Sequence, residues 1–410
     1  MKLKKIQFNI YKLIIVSLML DAYALFYIRT FPVTPFTIVS IIFVVLCIAE
    51  SKENLMKIRK KDILLVLLIV CITFNYIFYG CKNSTSFLQS IYFIALCALA
   101  YRKETKANFD SYCDFFQHLM TVMSIYGIYQ FFGRILNLPF TDLIIPGHMV
   151  KGYNWTNTTY VSGLNMYRSN AVFREPSFFG QMLAISLLLY VPGFLNKKVQ
   201  FKDYLVPTIL QAIALILAIS GTGFFMIGIG LILYLLLTRR TRKTWERVFA
   251  YLILGILVVP YILLVTSFGS YLLSRMNELF VYNKDASSGY VRFRSWIFVV
   301  EKAWNKNFLL GSGIGTGADY VSEFAIQFYA MTLNGFARVA TELGLSGLGL
   351  WMGYLLSGLK VKETSLTDSR FLILACSMVP LVFMHETFAS NIFWGFMMLM
   401  NIRFVEIRKA

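Results

Sequence analysis

Residues 221–243 read GTGFFMIGIGLILYLLLTRRTRK, an apolar run from Phe224 to Leu237 that stops on Arg239, Arg240, Arg242 and Lys243. A helix that is apolar on every side is either buried in a large core or lies in lipid. The basic block decides for lipid, because a bilayer-crossing helix needs about 20 apolar residues and keeps its flanking Lys and Arg on the cytoplasmic side. Just upstream, Ser220-Gly221-Thr222-Gly223 separates this run from another at 204–220 and suits a tight reversal.

The same pattern extends over the whole chain of 410 residues, which is 58% hydrophobic and only 15% charged, against about 25% charged in soluble domains. Apolar runs fall at roughly 10–29, 31–49, 63–80, 86–101, 113–133, 175–195, 204–220, 221–238, 247–267, 335–359, 370–386 and 388–402. They predict an all-α polytopic membrane protein of about twelve transmembrane helices, forming a single integral membrane domain over residues 1–410. The first run follows Met1-Lys2-Leu3-Lys4-Lys5 and lacks a small-residue cleavage site, so it is expected to be a retained helix.

The formal charge is +18, from 39 Lys and Arg against 21 Asp and Glu. In a soluble chain that balance would point to nucleic acid. Here most of the cations sit in short clusters between apolar runs, which excludes that role. With both termini cytoplasmic, 26 of the 39 fall on the inner side, as the positive-inside rule requires. Eleven of the remainder go with two long outer segments, 134–174 and 268–334: Arg134, Lys151, Arg168 and Arg174 with the first, and Arg275, Lys284, Arg292, Arg294, Lys302, Lys306 and, four residues past its end, Arg338 with the second. Positive charge outside opposes the insertion rule, so an anionic ligand on the outer face is expected.

Three stretches carry that expectation. Phe173-Arg174-Glu175-Pro176-Ser177 stands at the start of the sixth run, where Pro176 and Glu175 suit a first helical turn but Arg174 is a cation beside the positive end of the helix dipole. An arginine beside free helix N–H groups makes an anion site. Ser288-Gly289-Tyr290-Val291-Arg292-Phe293-Arg294-Ser295-Trp296 sets two guanidinium forks, which match phosphate oxygens, among rings such as Trp296 that stack on sugars. From Tyr290 to Leu310 the apolar residues Phe293, Trp296, Ile297, Val300 and Trp304 recur at helical spacing, predicting an amphipathic helix at the outer interface. Gly311-Ser312-Gly313-Ile314-Gly315-Thr316-Gly317 lacks the strand context of a dinucleotide loop and reads as a close-packed turn folding back onto the helices. Arg275, in Ser274-Arg275-Met276, is a further outer cation, and His148 is a candidate for proton transfer. Neither the three His nor the six Cys show metal-ligand spacing, so no metal or cofactor is implied. Asp21, read inside the first span, would need a hydrogen-bonding partner there.

Taken in order, the spans, Arg174-Glu175-Pro176-Ser177-x-x-Gly180, Ser288-x-x-x-Arg292, the turn Gly311–Gly317, and Asn334 leading to Glu342-Leu343-Gly344-Leu345-Ser346-Gly347 resemble the bacterial O-antigen and capsular polysaccharide polymerases (Wzy-type) of the O-antigen ligase superfamily, over roughly residues 113–402. The resemblance implies a metal-independent, inverting glycosyltransferase of GT-C-like fold in the bacterial inner or plasma membrane. Such enzymes join undecaprenyl-diphosphate-linked oligosaccharide repeat units en bloc on the periplasmic or extracellular face. It implies a lipid-linked glycan and membrane lipid as partners, with a chain-length regulator as a further one. It maps the family's diphosphate-holding arginines onto Arg174, Arg292 and Arg275 or Arg294; with Arg275, Arg294 and Asn334, the residues Trp296 and His148 read above complete the expected substrate-binding set. Two departures stand out: Ser220-Gly221-Thr222 replaces a family Ser-Arg-Gly, and Thr332-Leu333-Asn334 lacks the His that ligases carry near that span, which favours polymerase over ligase. In this reading Arg174 and Arg292 clamp the diphosphate. Glu175 orients Arg174 or accepts the hydroxyl proton, with Asp319 and Glu323 as alternative bases. The rivals are an O-antigen ligase, a lipid-linked oligosaccharide flippase or other transporter, and a non-catalytic assembly partner.

Overall fold

A computed structural model describes residues 2–28, 31–50, 62–102, 109–151, 153, 158–161, 164–196, 201–238, 295–325, 333–361, 363, 365–384 and 390–406. The described elements, in order, are α1 (Lys2–Met19), β1 (Phe26–Ile28), β2 (Phe31–Val33), α2 (Pro35–Glu50), α3 (Asp62–Phe78), α4 (Ser84–Arg102), α5 (Phe109–Ile135), β3 (Thr158–Val161) and β4 (Leu164–Tyr167). They continue with α6 (Pro176–Asn196), α7 (Phe201–Ala218), α8 (Gly221–Leu237), α9 (Ser295–Lys306), α10 (Gly317–Ala325), α11 (Gly335–Leu356), α12 (Leu366–Met384) and α13 (Asn391–Glu406). The chain is mostly helical, as an all-α membrane protein requires. The expected span at 247–267 lies outside the described residues.

Among the described helices three are long and apolar enough to cross a membrane, Pro176–Leu195, Gly335–Lys360 and Leu366–Met384, beside six shorter apolar ones. Apolar side chains occupy both the inside and the outside of the bundle. Ile41, Ile42, Val45 and Ile48 form an exposed stripe on α2, and Ile63, Val66, Leu67, Val70, Phe74 and Ile77 one on α3, while Trp351 and Trp394 are fully buried. An exposed apolar surface of that kind suits lipid. Polar residues turn inward instead and bond between helices. Gln211 Nε2 on α7 donates to Gln117 O (3.1 Å) and Thr121 Oγ1 (3.0 Å) on α5, and Asn401 Nδ2 on α13 to Tyr354 OH (2.5 Å) on α11.

Two departures from the expected pattern are local. The first apolar run does not stay helical to residue 29: α1 stops at Met19, and Phe26–Ile28 pairs antiparallel with Phe31–Val33, with Phe26 opposite Val33. A short apolar run rich in aromatic and β-branched residues fits a strand as well as a helix, and the turn before it selects the strand. Asp21 therefore lies in that turn, where its Oδ1 accepts from Asn391 Nδ2 (2.7 Å) at the start of α13. A second hairpin, β3–β4, sits in the first outer segment.

The most consequential local feature is a break in α11. Gly344 has φ +63° and ψ −161°, so the helical ladder stops for one residue. The freed groups are taken up by the glycine turn: Ser312 N donates to Thr341 O (2.8 Å) and Gly313 N to Glu342 O (3.1 Å), while Leu345 N and Ser346 N donate to Phe308 O (3.0 Å) and Leu309 O (3.2 Å). The turn folds back onto the helices, as its glycines suggest. A Cβ at Gly311 would stand 2.5 Å from Thr341 O, and one at Gly344 2.5 Å from Gly311 N, so neither position admits a side chain. Buried Asn75 on α3 brackets the junction, donating to Leu310 O (2.7 Å) and Glu342 O (3.1 Å) and accepting from Ile314 N (2.9 Å).

Replacing Asn75 by Leu strands the Leu310 carbonyl and the Ile314 N–H in the interior, at about 1–3 kcal/mol each, and leaves Glu342 O with Gly313 N as its donor. Melting followed by tryptophan fluorescence in detergent is expected to show a Tm several degrees lower. An unchanged Tm removes the bracket from the determinants of the fold.

Candidate functional site

The same end of the bundle carries the C-terminus of α3 and the N-termini of α4, α6 and α11. Between them lies a cavity of about 540 Å³. Arg174, Glu175, Ser177, Phe178 and Gln181 line it from α6 and the residues before it, Leu333, Asn334 and Arg338 from the start of α11, and Gly315 and Gly317 from the glycine turn. Ser86 in the first turn of α4, Ala318, Val321 and Ser322 of α10, and Phe383 and Met384 at the end of α12 complete the wall. Three helix N-termini beyond that of α4, those of α6, α10 and α11, thus contribute to one hollow, and their dipoles add positive potential to two guanidinium groups.

Arg174 is held from below by an unusually well-braced loop. Gln130 on α5 is fully buried and its Oε1 accepts from Asn170 N (3.0 Å) and Ala171 N (2.9 Å), while Nε2 donates to Asn170 Oδ1 (3.0 Å). Asn170 Nδ2 closes the loop onto Phe173 O (2.6 Å), and the Phe173 ring stacks on Phe179 of α6 with centroids 5.4 Å apart. Asn170 also donates to the Tyr153 hydroxyl (3.4 Å). Burial pushes that phenol above its ordinary range, so it stays neutral. Arg174 Nη2 donates to Lys151 O (2.8 Å), and Glu175 Oε2 accepts from Ser177 Oγ (3.1 Å).

On the α11 side, Asn334 is the N-cap, its Oδ1 accepting from Ala337 N (2.8 Å). One turn on, Arg338 Nε donates to Glu342 Oε1 (3.1 Å), a carboxylate only 2% exposed that also accepts from Gly317 N (3.3 Å). Glu342 therefore ties Arg338 to the glycine turn. The wall also includes Gln181, whose Oε1 is buried with no hydrogen-bond partner among the described residues. A buried acceptor of that kind on a cavity wall is a place for a ligand donor.

Of the expected site residues, Arg174, Glu175 and Asn334 meet in this cavity. Arg275, Arg292 and Arg294 lie outside the described residues. Trp296 packs edge-on against Phe336 (5.7 Å) on the flank of α11, and exposed His148 joins the first hairpin through Ala24 O (3.1 Å); neither lines the cavity. The amphipathic helix is present as α9, docked on α11 through Trp304 Nε1 and Ala340 O (2.8 Å), although Ile297 is exposed rather than on its packed face. Two outer cations prove structural. Arg168 donates to the last carbonyls of α7, Ala218 O (3.2 Å) and Ile219 O (3.1 Å), and buried Arg134 pairs with Asp142 and lies over the Tyr167 ring. Sequence reasoning missed Arg338 and Gln181 as site residues. Arg338 falls four residues after Asn334, and Gln181 is a polar residue four after Ser177 on an otherwise apolar helix; those spacings are the signal that was there.

Residues 206–352 match the family described as O-Antigen ligase. The finding supports membership of the O-antigen ligase superfamily. No curated protein matches the chain. The superfamily match takes in α7 to α10 and α11 as far as Met352, hence the glycine turn, Asn334, Arg338, Glu342 and the break at Gly344, whereas Arg174 and Glu175 lie before it.

Glu342→Ala is expected to destabilise the folded protein by about 3–5 kcal/mol, since it leaves Arg338 without its buried carboxylate. The double variant Glu342→Ala/Arg338→Met should recover part of the loss in thermal melts. Simple additivity of the two substitutions would dissolve the pair as a structural unit.

Proposed function

We propose that the chain is a polysaccharide polymerase that joins undecaprenyl-diphosphate-linked oligosaccharide repeat units on the outer face of a bacterial membrane, with the cavity around Arg174 and Arg338 as its reaction centre. The family match over residues 206–352 supports ligase- or polymerase-type activity in the broad sense, on a lipid-linked glycan at a membrane. The observation that carries the finer reading is the meeting, in one hollow, of two arginines 164 positions apart in sequence with the N-termini of α6, α10 and α11. That is a receptor for a strongly anionic group. The absence of a His at residues 332–334 favours the polymerase.

The chemistry follows from the lining. The acceptor hydroxyl oxygen attacks the anomeric carbon of the donor sugar. The bond from that carbon to the diphosphate oxygen breaks with its electron pair, and undecaprenyl diphosphate leaves with the added charge. Arg174 and Arg338 neutralise that charge, in surroundings where it is less screened than in water. Glu175 is the one carboxylate among the described lining residues, and it takes the hydroxyl proton. A single carboxylate suits one in-line displacement with inversion, since retention would ask for a second as nucleophile. Gln181 accepts a hydrogen bond from a sugar hydroxyl, and Asn334 fixes the start of α11. Arg292, with Arg275 and Arg294, would add cations from the second outer segment. A flippase would place its cations along a mid-membrane path; a cavity at helix ends supports a transferase instead.

Purified protein in liposomes with lipid-linked repeat units tests this. Arg174→Ala and Arg338→Ala are expected to cut glycan polymerisation by about 100-fold or more, with Lys restoring little because it lacks the bidentate fork. Glu175→Gln should lower kcat while leaving lipid-diphosphate binding in place. Full-length polymer from a normally abundant Arg174→Ala protein would overturn the assignment, and movement of lipid between leaflets without new glycosidic bonds would mark a flippase.

A further inference from the structure

The glycine turn has two faces. Gly315 and Gly317 line the arginine cavity, while Ser312, Gly313 and Thr316 line a second one of about 630 Å³, within the range of about 300–1,000 Å³ common to small-ligand sites. Tyr76 and Tyr79 from the end of α3 and Tyr320 from α10 form its walls, and Lys82, Lys306 and Asp319 stand around it. The tyrosines are firmly seated: Tyr76 stacks on Phe87 (4.2 Å, 10°), and Tyr79 OH donates to Gly311 O (2.5 Å). The Lys306 ammonium lies 5.0 Å over the Tyr320 ring. Tyr320 itself is buried, and its hydroxyl has no hydrogen-bond partner among the described residues.

Aromatic walls accept the apolar faces of sugar rings, and hydroxyls and charged rims accept their polar edges. Two ammonium groups against one carboxylate leave the hollow net positive. Lys82 lies exposed in the short connection between α3 and α4. The glycine turn is the shared wall of the two cavities, so the second one is next to the arginine cavity.

We infer that this tyrosine- and lysine-lined cavity is a glycan subsite that selects repeat units carrying an acidic sugar, with a carboxylate held between Lys82 and Lys306 and the ring set against the tyrosines. The inference rests on the polymerase reading and adds the substrate class to it: an anionic glycan. Asp319 accepts sugar hydroxyls at the rim.

The test separates the two cavities. Purified full-length protein in detergent is titrated with a tetrasaccharide containing hexuronic acid, with a neutral tetrasaccharide, and with undecaprenyl diphosphate alone. Lys82→Gln and Lys306→Gln are each expected to raise the Kd for the acidic tetrasaccharide about tenfold, to steepen no response to the neutral one, and to leave undecaprenyl diphosphate binding unchanged. The charge-retaining Lys306→Arg should keep its affinity for the acidic sugar, which distinguishes loss of charge from loss of fold. Arg174→Ala should do the reverse, weakening undecaprenyl diphosphate and sparing the tetrasaccharide. Equal affinity for acidic and neutral tetrasaccharides, or no change in either Gln variant, overturns the subsite. Undecaprenyl diphosphate binding that ignores Arg174→Ala overturns the reading of the arginine cavity and leaves the tetrasaccharide result to stand separately.

Discussion

A helix among apolar neighbours can interrupt its backbone ladder only where protein supplies the missing partners. In α11 that interruption is Gly344, and the partners are the backbone of residues 308–313 together with the Asn75 amide. The α11 side of the site depends on this junction. It fixes the glycine turn against α11, so that Gly317 meets Glu342 and Glu342 meets Arg338. It also joins α3 to the backbone of residues 310–314.

The outer cations separate by what they touch. Arg134 and Arg168 answer needs of the chain itself, a half-buried carboxylate and a helix C-terminus. Arg174 donates to Lys151 O and Arg338 to Glu342, and both line a hollow into which three helix N-termini also open. Glu342 and Glu175 offset part of that positive charge, and the proposed lipid diphosphate would supply the rest.

Much of this was legible in the residues and some was not. Apolar runs placed the helices because lipid asks for one property over many residues, and averaging over twenty positions is forgiving. The first run failed at Phe26–Ile28 because three residues carry too little periodicity to separate strand from helix. Arg174 and Glu175 stood out because a cation beside a helix start is locally incongruous. Arg338 did not, because its partner Glu342 lies one turn away and makes the pair look like ordinary surface decoration of a helix. Arg168 misled for the opposite reason: the carbonyls it caps are fifty residues away in sequence, and no local pattern announces them. Asn75 was silent altogether, as a lone amide in an apolar run has no visible destination.

Asn75 belongs to α3, far upstream of the stretch that matches the superfamily, yet it grips backbone within that stretch at three points. The recognisable portion of the molecule thus takes part of its backbone bonding from outside itself, and during synthesis Asn75 emerges from the ribosome before the glycine turn it will hold.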